Sequence, residues 1–329
     1  MILSCSNEYQ ITKFLLNERA DLSATFSACY KIAGGALYEL SLYSKKWRKD
    51  MRYKIVVDSC CELPEEYKND PRFERVPLTL EVGDYQIQDD ETFDQKDFLN
   101  RVAAYPKCPK SACPSPERYR DAYRAAAEHI YCVTLSSHLS GSYNSAVLGK
   151  HLYEEEYGKK DIYVCDSESA SIGETQLAMK IMEWEEEGSL PFAQIVKKLE
   201  TFRSAMSTYF VLDNLETLRK NGRLSGVKAL IASTLSIKPV MGAIEGVIIQ
   251  KGQSVGIKKA LTKMADIIVS EGKDLNQKVL YISHCNCPDR ADLVKKLLLA
   301  RSKFKEVKIL NTAGVSSMYA NDGGVIVAI

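Results

Sequence analysis

Ile130-Tyr131-Cys132-Val133-Thr134-Leu135 runs directly into Ser136-Ser137-His138-Leu139-Ser140-Gly141-Ser142-Tyr143-Asn144-Ser145-Ala146, and this passage decides the fold. The first six residues are apolar β-formers, and the last ones open a helical pattern through Leu148 and Leu152. A strand, a hydroxyl-rich turn and a helix start therefore follow one another. First-turn N–H groups lack intrahelical partners, and the helix dipole adds partial positive charge, so such a place attracts anions. One serine is enough to cap a helix. Here several accompany Asn144, and the surplus points to a ligand site.

Working outward, strands and helices alternate from Met51 onward, which predicts an α/β fold with a parallel sheet. Strands are expected over 54–59, 75–80 and 162–166, and helices over 62–67, 93–104 and 117–129; the strand at 162–166 leads into Ser167-Glu168-Ser169-Ala170-Ser171 and a helix through Trp184. Proline makes 106–116 extended and unsuited to a helix or a central strand. Three strands end in Asp58-Ser59, Ser136-Ser137 and Asp166-Ser167, and Ser111 sits on a fourth loop. In open parallel sheets ligands lie beyond the carboxyl ends of the strands, so these residues and Asn144 are expected to share a polar pocket.

After a helix over 192–203 the pattern changes. A strand at 209–212, a short helix through Leu215 and Leu218, and a hairpin turning at Glu245-Gly246 are expected next. Asn221-Gly222 should close the short helix and aim Arg223. Helices over 258–270 and 289–300, with strands over 279–283, 307–310 and 324–329, complete an α+β second domain. The expected division is 51–205 for the α/β domain and 206–329 for the α+β domain that closes over the ligand.

Bulk composition narrows the function. The chain of 329 residues is 45% hydrophobic and 26% charged with a formal net charge of +1, which disfavours nucleic acid or an anionic membrane as partner. No apolar run is long enough to form an integral membrane segment. Ten cysteines are scattered, without paired Cys-x-x-Cys spacing and with only four histidines to help, so no metal site is expected. Reduced thiols in a cytoplasmic protein are the expected state.

Residues 1–50 read differently from the rest. Trp47-Arg48 precedes Met51 closely, and Trp with an AGG arginine codon writes TGGAGG, a ribosome-binding sequence, upstream of an ATG. Translation is expected to begin at Met51, with 1–50 a non-native leader; the alternative is a helical appendage around Ala36-Leu37-Tyr38-Glu39-Leu40.

Taken in order, several motifs resemble the DegV family of bacterial fatty-acid-binding proteins. They are Asp58-Ser59, Lys110-Ser111-Ala112-Cys113-Pro114-Ser115, the serine loop, Asp166-Ser167, Leu215 through Gly222-Arg223-Leu224-Ser225, and Ile237-Lys238-Pro239. The resemblance spans Met51 to Ile329 and implies a two-domain protein holding one long-chain fatty acid. It further implies a protein that is not itself an enzyme and has no cofactor. Such a protein presents its acid to a separate ATP-dependent fatty acid kinase subunit, which makes acyl phosphate for phospholipid synthesis. By motif position Ser140, with Gly141, would hold the carboxylate, Ser111 would stand where the family usually has Thr, and Arg223 would match the family's Arg. Tyr319 occupies the place of a frequent His, and Gly252-Gln253-Ser254-Val255-Gly256 lacks an Arg associated with kinase coupling.

Two rival readings are weaker on the residues. A serine-dependent hydrolase with His138 as base lacks the Gly-x-Ser-x-Gly elbow. A phosphate- or nucleotide-binding transferase lacks both Gly-x-x-x-x-Gly-Lys-Ser/Thr and Gly-x-Gly-x-x-Gly.

Overall fold

In the computed structural model, residues 51–224 and 236–329 are described. The leader expectation, its helical alternative and Ser225 of the arginine motif lie outside the described residues. Met51–Ile329 forms one compact unit.

The buried run at the start becomes β1 (Met51–Asp58), hydrogen-bonded in parallel to β2 (Phe73–Val76) and to β6 (Ala127–Thr134). β7 (Asp161–Asp166) joins β6, giving the order β2-β1-β6-β7. All pairings are parallel, so the carboxyl ends of β1, β6 and β7 emerge on one edge. Between β2 and β6 lie β3 (Thr79–Val82), β4 (Tyr85–Gln88), α1 (Gln95–Ala104), β5 (Lys110–Ala112) and α2 (Pro116–Ala122). β3, β4 and β5 make a small antiparallel sheet of their own, with β5 at its edge as the proline-rich flanks require.

On one face of the parallel sheet, Val56, Ile130 and Cys132 pack against Tyr119 and Tyr123 of the α2 region and Ala146 of α3 (Ser142–Tyr157). The other face meets α4 (Ile172–Glu187) and α5 (Phe192–Ala205). α4 is buried almost all round because it also packs on a second sheet. That sheet has the order β10-β9-β8-β13-β11-β12 and is antiparallel except for its last pair. Its strands are β8 (Thr208–Val211), β9 (Ile237–Ile244), β10 (Val247–Val255), β11 (Val279–His284), β12 (Glu306–Asn311) and β13 (Val325–Ala328). α6 (Glu216–Lys220), α7 (Ile257–Glu271), α8 (Pro288–Leu299) and α9 (Gly314–Ala320) connect them.

Three local expectations are corrected, and one helix is unforeseen. The helix expected over 117–129 ends at Ala122: the Tyr119–Ala126 periodicity runs on, but Ala127 and His129 are claimed by pairing with Met51 and Asp161. Lys160 Nζ then satisfies the loose carbonyls of Tyr123 and Ala125. The expected strand over 75–80 is two strands in different sheets, broken at Pro77, which has no N–H to give. Only a 3-10 turn, Glu65–Tyr67, replaces the helix expected over 62–67. The glycine-flanked segment after Thr312 contains α9, whose first N–H groups, on Gly314 and Val315, donate to the Asp89 carboxylate, both at 2.8 Å. That cap comes from a distant strand end and leaves no local signal.

Candidate functional site

A cavity of about 810 Å³, counting its open mouth, lies between the loops at the carboxyl edge of the parallel sheet and the inner face of the second sheet. Strand alternation turns Thr208, Phe210 and the following Leu212 toward it, with Ala243, Ile248 and Ile326 from the neighbouring strands. Leu135, Leu139 and Ala170 cover it from the loop side, and α9 adds Val315 and Ala320. The body is apolar, with polar groups confined to particular places.

One such place brings Ser111, Ser140, Arg223 and Tyr319 to the wall. Ser111 is held on β5 by pairing opposite Leu80, and its hydroxyl lies 3.2 Å from Tyr319 Oη. Burial pushes the Tyr319 hydroxyl up, more than Ser111 and the Arg223 charge pull it down, so it remains a neutral donor. Arg223 is aimed by the end of α6: Gly222 at φ +76° donates to Arg219 O, and Arg223 N donates to Leu218 O at 2.8 Å, a Schellman closure. Its guanidinium donates to Leu139 O at 3.0 Å and to Asn221 O, and stands 5.9 Å from the Tyr319 ring centre. Ser140 Oγ accepts from Ser142 N at 3.2 Å, and among the described residues nothing takes its hydroxyl proton. Ser140 is thus a local cap with a free donor.

The remaining expected residues are not brought to this wall. Gly141 is exposed and precedes α3, and exposed Asn144 lies in its first turn; neither lines the cavity. The serines of the loop divide their work. Ser136 Oγ donates to Gly246 O at 3.2 Å, and Ser142 Oγ turns inward to Asp58 at 2.5 Å. Ser137 N donates to Asp166, Ser59 Oγ accepts from Leu78 N, and Ser167 Oγ donates to Ser169 O. Asp58, Ser59, Ser137, Asp166 and Ser167 therefore brace the loops behind the cavity instead of lining it. His138 is exposed, and its ring makes no hydrogen bond to a serine hydroxyl among the described residues, so no serine–histidine pair forms.

A family model described as "Uncharacterised protein, DegV family" matches residues 52–329. The chain belongs to the DegV family. A DegV domain-containing protein of Streptococcus pyogenes serotype M1 is 34% identical over 283 residues, which is 84% of this chain and 98% of that protein. A DegV-family crystal structure from Ruminococcus gnavus, described with vaccenic acid, is 50% identical, with a TM-score of 0.83 over 85% of this chain and 100% of that one. The fatty acid kinase B3 protein of Streptococcus pneumoniae, loaded with linoleic acid, is 31% identical, with a TM-score of 0.77 over 84% and 99% of the two chains. The mixed α/β architecture, with an N-terminal parallel sheet and a C-terminal mixed sheet, is that of these DegV structures.

Behind the cavity of this DegV-family chain lies a group of acids, of which the sequence marks only Asp58. Asp58, Glu62 and Glu174 are all buried around Cys60, whose side chain lines the cavity. Asp58 accepts from Leu135 N at 2.9 Å, Cys60 N at 3.1 Å and Ser142 Oγ. Glu62 accepts from cavity-lining Ser171 Oγ at 2.8 Å and from Ala313 N at 3.4 Å. Glu174 faces Asp58, and burial, followed by the Asp58 charge and a hydrogen bond between the two carboxyls, pushes Glu174 far up, so it is held neutral. The same burial raises the Cys60 thiol well above its ordinary value, which removes it as a nucleophile at neutral pH. Glu174 falls in an otherwise unremarked helix pattern, and nothing local marks it as buried. No group of three or more residues suited to a metal occurs among the described residues, and no described helix is long and apolar enough to cross a membrane.

Proposed function

We propose that this chain binds one long-chain fatty acid in the cavity and presents it to a separate ATP-dependent kinase that forms acyl phosphate. The carboxylate sits among Ser111, Ser140, Tyr319 and Arg223, at the meeting of two lobes divided near residue 205. The observation that carries the reading is a largely apolar cavity wall on which Ser111, Ser140, Tyr319 and Arg223 gather three hydroxyls and one guanidinium at one place. Three hydroxyls and one Arg suit a carboxylate, and the apolar wall suits its tail at ~0.8 kcal/mol per buried methylene. The fatty acids named for the Ruminococcus gnavus and Streptococcus pneumoniae proteins support it. Protein purified from bacteria should release a long-chain fatty acid at near-stoichiometric yield on organic extraction. Trace lipid, or a nucleotide in its place, would end the reading. The protein alone, given ATP and fatty acid, should form no acyl phosphate.

Ser140→Ala tests the head-group assignment. Loss of one charge-assisted hydrogen bond is worth roughly 1.5–3 kcal/mol, or about 10- to 150-fold in affinity. The deficit should be larger for the acid than for an alcohol of the same length, because only the acid offers a charged acceptor. Removal of a mere cap would instead cost about 1 kcal/mol of stability and leave both affinities unchanged. Equal, unaltered binding of acid and alcohol would therefore withdraw Ser140 from the site.

A further inference from the structure

We propose that the Thr208–Ser169 hydroxyl pair is the stop that limits acyl chain length, an inference that rests on the fatty-acid reading above. Strand β8 acts as a ruler along the cavity. Of Thr208, Phe210 and Leu212, it is Leu212 that leads into α6, whose end aims Arg223; it shares a hydrophobic cluster with Leu218, Leu139 and Tyr319, and the same cluster continues to Phe210 and Ile326. Phe210, paired with Ile326, comes next on the same face, and Thr208 comes last. Thr208 lies four residues before Leu212, about 13 Å along an extended strand. A tail leaving the Arg223–Tyr319 cluster and following Leu212 and Phe210 meets Thr208 at the far end.

There the wall ceases to be aliphatic. Thr208 Oγ1 lies 2.7 Å from Ser169 Oγ, and both residues line the cavity. Thr208 can donate to Ser169 Oγ while Ser169 Oγ donates to Ala170 O at 3.5 Å, so the two hydroxyls have protein acceptors for their protons and call for no polar partner on the ligand. They do present a floor that a methyl group cannot improve upon. Beside them Glu168 also lines the cavity, but its carboxylate is turned to Arg203 at 3.4 Å.

The floor is also backed from below. A Cβ built on Gly173 would fall 2.8 Å from Ser169 Cβ and 3.3 Å from Thr208 Oγ1, so Ser169 rests against α4 and cannot retreat. Ser169 is 3% exposed, and its N–H is held by Ser167 Oγ at 3.1 Å. Thr208 belongs to the second sheet, between β9 and β13. A stop fixed from both sides is rigid on the scale of one methylene, which is what a length limit requires.

The test is binding of a homologous series of straight-chain acids to the full chain. In the wild-type protein affinity should climb about four-fold per added methylene and then turn over where the methyl end meets Thr208. Thr208→Ala should move the turnover to acids longer by about one or two carbons, and Thr208→Leu to acids shorter by a similar step. Either substitution suffices if the other fails to fold. A turnover at the wild-type length in the folded variants overturns the stop while leaving fatty-acid binding in place. Failure of the wild-type protein to bind any member of the series overturns both.

Discussion

Asp58→Ala is expected to lower unfolding stability by about 3–5 kcal/mol and to weaken fatty-acid retention more than Ser140→Ala does. Asp58 is fully buried and serves two backbone N–H groups and one hydroxyl at once. Alanine leaves the N–H groups of Cys60 and Leu135 without an acceptor in a place water does not reach, and each such loss costs roughly 1–3 kcal/mol. Ser142 keeps the Tyr119 hydroxyl at 2.5 Å, so its share of the loss is smaller. The effect on ligand follows from what Asp58 ties together. Leu135 begins the serine loop, Ser142 begins α3, and Ser140 lies between them. Untying both ends releases Ser140 from the cavity wall. Asparagine should recover only part of the stability, because whichever side its NH2 takes, it meets a donor. Urea titration with parallel lipid extraction reads both effects. An alanine variant within about 1 kcal/mol of wild type, with its lipid intact, would show that the loop stands without this carboxylate.

The sequence made the frame of this molecule readable because its frame is local. Buried β-runs such as Lys54–Asp58 announce parallel strands, Asn221-Gly222 announces the helix end that aims Arg223, and Glu245-Gly246 announces a hairpin turn. The turn indeed has positive φ at both residues, 48° and 78°. What stayed hidden depends on partners far away in the chain. α9 is capped by Asp89, Ser111 meets Tyr319 across 208 positions, and the end of β6 is set by its neighbours. The serine loop shows the limit most clearly. Its residue types signal a polar site, but one strand-to-helix turn sends Ser140 to the cavity, Ser142 to Asp58 and Ser136 to the hairpin tip. Side-chain direction, not composition, divides ligand contact from bracing.

Glu62→Gln should leave stability nearly unchanged at acid pH and raise it progressively as pH rises. Burial raises the Glu62 carboxyl to about 7, against an ordinary value of 4.5, despite hydrogen bonds from Ser171 and Ala313. A raised carboxyl binds its proton more tightly when folded than when unfolded. Its contribution is therefore fully present below about pH 4.5, falls as pH rises toward about 7, and is level beyond that. The span corresponds to roughly 3 kcal/mol. Asp58, Glu174 and Asp89 are raised by burial as well, and they steepen the same decline. Glutamine retains an acceptor oxygen and cannot ionise. The variant should match wild type near pH 4.5 and gain on it steadily, by up to about 3 kcal/mol at pH 8. Denaturant midpoints for lipid-free protein at pH 5, 6.5 and 8 give the comparison without a titrating ligand in the cavity. A difference between variant and wild type that stays constant across that range would mean that Glu62 titrates normally. In that case the acids behind the cavity would be hydrated, and the floor beneath Ser171 and Cys60 would be open to water.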